Sequence, residues 1–136
     1  MTQKTSQAFV SASWIALATG LIGYLVGIWR ADMLLNEKGY YFTLLMFGLF
    51  GAVSLQKSVR DRMEGIRVSD IYYNLCWVGV LLSIGLLVVG LWNAQLLPSE
   101  KGYYAFAFIL AMYSAVAVQK NTRDQLVEKE SLIHSE

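Results

Sequence analysis

Charged side chains are missing from four long stretches of this chain, and their absence decides what it can fold into. Residues 5–29, 39–56, 71–99 and 102–119 contain no Asp, Glu, Lys or Arg. A bilayer core about 30 Å thick takes roughly 20 mostly apolar residues in a helix. An ionised side chain at its centre costs about 2.5–3.5 kcal/mol on insertion scales. The stretches therefore predict an all-α polytopic membrane protein with transmembrane helices over about 8–29, 40–57, 71–92 and 103–120. Spans two and four are short, since eighteen residues reach only about 27 Å. Lys38 and Lys57 lengthen the second by lifting their ammonium groups toward the headgroups. Strands are excluded because lipid leaves their edges unpaired, and the chain is too short for a usual eight-stranded barrel. A cleaved signal peptide is disfavoured for the first span. Its apolar run exceeds the roughly 7–15 residues of a signal core, and only Lys4 precedes it.

Composition agrees with lipid as the solvent. The 136 residues are 56% hydrophobic and 15% charged, against about 45–50% and 25% in soluble domains. The formal charge of +1 offers no basic or acidic tract for nucleic acid. The bilayer is the first partner.

Lys and Arg counts in the connections orient the spans. Lys4, Lys57, Arg60, Arg62, Arg67, Lys120, Arg123 and Lys129 fall on one side, and Arg30, Lys38 and Lys101 on the other. The positive-inside bias puts the first side, with both termini, in the cytoplasm. Trp29, Trp92, Tyr40, Tyr41, Tyr103 and Tyr104 then form an outer aromatic belt, and Tyr72 and Tyr73 an inner one.

Residues 27–61 align with 90–124 at a constant offset of 63 without a gap, and fifteen of the thirty-five positions are identical. GIWRADMLLNEKGYY matches GLWNAQLLPSEKGYY, and AVSLQKSVRD matches AVAVQKNTRD. Two helices per copy return the chain to its starting side, so the copies are parallel repeats about an axis along the membrane normal. The architecture is two tandem helical hairpins, 8–63 and 71–126. A polar cytoplasmic tail, 127–136, is expected to be loosely held. Small residues mark helix contacts in membranes. They recur at matching depths: Ala16, Gly20 and Gly27 against Gly79, Ser83 and Gly90, with Leu86 interrupting opposite Gly23, then Gly48, Gly51 and Ala52 against Ala111, Ser114 and Ala115.

The LLNEKGYYF and LLPSEKGYY blocks, the GIWRA and GLWNA segments and the two QK-x-x-RD ends resemble the YiaA/YiaB family of bacterial inner-membrane proteins. The likeness covers roughly residues 10–125 and is closest to members carrying two copies of the two-helix domain. It implies residence in the cytoplasmic membrane and supplies no reaction.

Two motifs are candidates for function. Asn36 and Ser99 read as N-caps, with Glu37 and Glu100 in the first turn, where the helix dipole favours negative charge. Pro98 then reads as an extended entry to the cap. Capping accounts for these turns; the sharper reading is an outer-face ligand site built from Glu37, Lys38, Glu100 and Lys101. At the other end, Lys57 and Asp61, like Lys120 and Asp124, lie four apart and share helix faces, as do Gln56 with Arg60 and Gln119 with Arg123. They read as inner-interface anchors with exposed carboxylate partners. The sharper reading is a pair of basic pockets, Lys57 with Arg60 and Lys120 with Arg123, for anionic lipid headgroups or a protein partner.

Catalysis finds little footing. The one histidine, His134, is the third residue from the end, and Cys76 has no histidine partner, so metal, cofactor and nucleophile motifs are missing. No carboxylate lies within a span to couple protons to transport. The sequence thus points to a non-enzymatic membrane protein acting through lipid or protein contacts. The alternative is a small transporter or channel component with a path between repeats or between protomers of a homo-oligomer.

Overall fold

The computed structural model describes residues 5–135, so Lys4 and the last residue of the tail lie outside the described residues. Among the described residues four helices follow one another: α1 (Gln7–Arg30), α2 (Leu35–Met63), α3 (Asp70–Asn93) and α4 (Pro98–Ser135). All four are long and apolar enough to cross a membrane. Short connections at 31–34 and 94–97 lie together at one end, the tyrosine end. The 64–69 connection and the start of α1 lie at the other, the charged end.

The first and third helices start at hydroxyl caps. Ser6 accepts from the Phe9 amide at 3.2 Å, and Ser69 accepts from the Tyr72 amide at 3.3 Å. Asn36 and Ser99 are not caps. The Lys38 amide already bonds Leu34 O, and the Lys101 amide bonds Leu97 O, each at 3.0 Å. Both helices therefore begin earlier, with Asn36 and Ser99 inside the first turn. Pro98 opens α4 as its first helical residue, where a missing N–H goes unused and a fixed φ suits the helix.

A glycine explains the unequal lengths of α2 and α4. After Met63 the chain closes a Schellman turn: Gly65 adopts φ 76°, the Ile66 amide bonds Asp61 O at 2.8 Å and the Gly65 amide bonds Arg62 O at 3.2 Å. Sixty-three residues on stands Glu128, for which that conformation is costly. So α4 continues, and the stretch read as a loose tail is helix to Ser135.

The hairpins are joined in sequence but exchanged in packing. α1 packs along α4 and α3 along α2, while α2 and α4 meet at the centre. Within each repeat the two helices touch sparsely, and α1 and α3 do not touch. Close approach at small residues makes the crossings possible. A Cβ on Gly20 would come within 2.8 Å of the Ala111 amide nitrogen, and one on Gly48 within 2.7 Å of the Phe108 ring. Tyr24, Leu45 and Phe108 fill the centre at 0% exposure. Outward, Trp14, Ile22, Leu81 and Val88 stand exposed, as side chains solvated by acyl tails do.

Candidate functional site

The charged end is built from the two QK-x-x-RD segments, which continue α2 and α4 past their apolar stretches. Helical spacing first forms the pairs along each helix: Lys57 Nζ to Asp61 Oδ2 at 2.8 Å and Lys120 Nζ to Asp124 Oδ2 at 2.9 Å. The arginines then cross between the repeats. Arg60 Nη2 meets Asp124 Oδ1 at 2.5 Å, and Arg123 Nη2 meets Asp61 Oδ1 at 2.6 Å. Each residue sits 63 positions from its counterpart, so the two bonds are images of one another. Glu64 joins both arginines, accepting from Arg60 Nε at 2.8 Å and from Arg123 Nη2 at 2.6 Å.

Burial decides what these groups can do. The Asp61 side chain is 9% exposed and that of Asp124 15%, not the exposed partners expected from spacing. The arginines sit inward too, at 20% and 18%, whereas Lys57 and Lys120 keep 57% and 50%. Hydrogen bonds from Lys57 and then Arg123 hold the Asp61 carboxyl below the usual carboxylate range. Arg60 and Arg123 do the same for Glu64. For Asp124 burial pushes upward, but bonds from Lys120 and Arg60 outweigh it and the net direction is down. The arginines thus face carboxylates of the opposite repeat, leaving two lysines turned outward.

At the tyrosine end the EKGYY segments also reach across. Tyr103 donates to Gly23 O at 2.5 Å, and its counterpart Tyr40 donates to Leu86 O at 2.6 Å. Tyr104 donates to Gly27 O at 2.7 Å, a carbonyl in the last turn of α1 with no helical partner. A Cβ on Gly27 would lie 2.8 Å from the Tyr104 ring, and one on Gly90 2.8 Å from the Tyr40 ring. The repeated Gly-x-Trp and Gly-Tyr-Tyr elements are therefore two sides of one contact made twice. Lys38 and Lys101 turn back onto their own repeats, Nζ donating to Trp29 O at 2.9 Å and to Trp92 O at 3.4 Å.

Of the four residues read as an outer ligand site, Glu37 lines the cavity found at this end. This cleft of about 840 Å³ opens between the two connections, and Glu37 lines it with Asp32, Asn36, Asn93, Tyr40 and Tyr41. Lys38, Glu100 and Lys101 do not line it. Among the described residues no group of three His, Cys, Asp or Glu side chains could hold a metal.

Spacing alone missed the polar contacts beneath the charged end. Asn121 Nδ2 donates to Ser13 Oγ at 3.2 Å, and Ser58 Oγ lies 3.5 Å from Cys76 Sγ. Both pairs are buried, and they are again equivalent at offset 63. The signal lay in the sequence: each member has a polar or sulfur-bearing counterpart one repeat away.

The profile of the yiaA/B two helix domain matches twice, at residues 9–61 and 72–124. "Inner membrane protein YiaA" of Escherichia coli is 58% identical over 119 residues, covering 88% of this chain and 82% of that protein. "Inner membrane protein YiaB" of the same organism is 31% identical over 110 residues, 81% of this chain and 91% of its own length. "Uncharacterized membrane protein YubF" of Bacillus subtilis is 33% identical over 63 residues, 46% of this chain and 72% of that protein. No solved structure matches the chain.

Proposed function

The chain belongs to the YiaA/YiaB family, and from that premise we propose a non-catalytic protein of the bacterial inner membrane that works through contacts at its charged rim. Both termini and the 64–69 connection face the cytoplasm in this reading, following the excess of Lys and Arg at that end. One observation carries it. The crossed pairs neutralise the arginines and leave Lys57 and Lys120 half exposed, one on each side of the pseudo-twofold. Two outward ammonium groups at headgroup depth suit anionic lipid phosphates or an acidic membrane partner. Arg60 and Arg123 serve by holding the carboxylates that position the lysines.

The test is mass spectrometry of protein extracted in native lipid. Replacing Lys57 and Lys120 together by Gln is expected to lower retained phosphatidylglycerol and cardiolipin, with the fold intact by circular dichroism. Unchanged lipid and unchanged protein partners would remove the reading. Labelling single cysteines at Asn36 and Ser69, in a Cys76→Ala background, tests the orientation: only position 36 should react with an impermeant reagent added outside.

The second reading, a transporter or channel component, draws on the cleft of about 840 Å³ at the tyrosine end. A route inward from there meets Tyr41 and then the filled centre at Tyr24, Leu45 and Phe108. This makes transport the weaker alternative. Solute uptake into vesicles that depends on Glu37 would restore it.

A further inference from the structure

The contacts between the repeats have the form of an isologous interface, in which one patch meets its own copy. Tyr103 on Gly23 repeats as Tyr40 on Leu86. Arg60 with Asp124 repeats as Arg123 with Asp61. Asn121 with Ser13 repeats as Ser58 with Cys76. Such an interface forms equally between two repeats on one polypeptide and two on separate ones. Here it also carries most of the packing, because α1 leans on α4 and α3 on α2 rather than on their sequence neighbours.

The covalent tie between the repeats is slight. It runs through residues 64–69, of which all but Val68 are exposed. Arg62 braces it locally, bonding Asp70 at 2.8 Å and lying over the Tyr73 ring at 3.9 Å. Only Glu64 takes part in the crossed pairs. Six extended residues span about 20 Å, roughly two helix diameters, enough for α2 and α3 of one chain to enter adjacent bundles.

We propose that the face each repeat turns to the other is an interaction surface for the complementary repeat of a second copy of this chain. Two chains exchange halves with 64–69 as the hinge, and each resulting four-helix bundle contains repeat one of one copy and repeat two of the other. The arginine–aspartate crossing sets which repeats pair. This proposal does not depend on the lipid reading.

Charge reversal split between two full-length copies tests it. One copy carries Arg60→Asp and one tag; the other carries Asp124→Arg and a different tag. Alone, each variant sets like charges against each other across its own interface. In the exchanged pair, one bundle restores opposite charges and the other is wild type throughout. Co-expressed in the same membrane and extracted gently, the two copies should co-purify at least about tenfold above two wild-type copies, the ratio that ~1.4 kcal/mol supplies. Placing both substitutions in one copy restores pairing within the chain and should return co-purification to the wild-type level. A mixed pair no better than wild type overturns the proposal, as does enrichment that persists with the double variant. If either single variant fails to accumulate alone, accumulation becomes the measurement: rescue by the complementary copy supports exchange, and absence of rescue overturns it.

Discussion

The two ends of the bundle obey the same pseudo-twofold with different strictness. At the charged end every partner has its image: Lys57 and Lys120, Arg60 and Arg123, Asp61 and Asp124 are the same residue types 63 apart. Only Glu64 stands alone, because Val127 occupies its counterpart position. At the tyrosine end the hydroxyl contacts of Tyr40 and Tyr103 keep the symmetry, but their surroundings break it. Tyr24 donates to Tyr41 O at 2.9 Å, while its counterpart Leu87 has nothing to donate. Gln95 stands at the counterpart position of Asp32, and Asn93 at that of Arg30. Both ends keep identities, EKGYY at one and QK-x-x-RD at the other. The departures fall on the connections that frame the cleft, where Asp32 and Asn36 have Gln95 and Ser99 as their counterparts.

That contrast can be broken experimentally, and the largest effect is expected at the charged end. Arg60→Asp and Arg123→Asp each strand a mostly buried carboxylate beside another. Each should lower unfolding stability in detergent by about 2–3 kcal/mol, somewhat under the cost of breaking a fully buried pair. Denaturant titration should give matching losses for the two, and a wide disparity would refute the symmetry of that end.

Close packing comes next. Gly20→Ala puts a methyl 2.8 Å from the Ala111 backbone nitrogen, and such overpacking costs about 1–3 kcal/mol. Gly85→Ala meets nothing within 4 Å and should be neutral or gain about 0.5–1 kcal/mol through helix propensity. Equal melting shifts for the two would mean that α1 and α4 do not approach as described.

A smaller loss is expected for Tyr24→Phe, about 1 kcal/mol for a buried hydrogen bond. Leu87→Phe, at the symmetric position, removes no hydroxyl and sharpens the comparison: its effect should follow volume alone.

The smallest effect concerns pH. Asp61, Glu64 and Asp124 are held below the usual carboxylate range. Their stabilisation is therefore present above the unfolded value of about 4 and fades only as pH falls through the lower folded values. Melting should stay nearly flat from pH 5 to pH 8 as far as these groups contribute, and drop below about pH 4. A midpoint near neutrality would contradict the crossed pairing.

How much of this was legible beforehand follows from what lipid punishes. Charge-free stretches must be helices in a bilayer, so the four spans were readable, and the repeat was readable because EKGYY and QK-x-x-RD recur at a fixed offset. Which copy a residue touches was not. The offset says that Arg60 and Arg123 are equivalent, but not that each seeks the aspartate of the other half. The burial of Asp61 and the exchange of α1 onto α4 both lie in that gap. Helix ends were displaced for local reasons: caps at Asn36 and Ser99 were outcompeted by turns starting earlier, and Gly65 stops α2 through a positive φ that a repeat offset does not reveal. Lys38 and Lys101 looked like ligand cations because spacing cannot reveal that a long side chain folds back on the preceding helix.

The exchanged packing also has a temporal side. Gly23 and the Tyr103 hydroxyl that binds it are 80 residues apart. A ribosome adding about 5–20 residues per second leaves roughly 4–16 s between their syntheses. During that interval α1 resides in the bilayer with its glycine face still bare, and two nascent chains made side by side have that long to meet before either can close on itself.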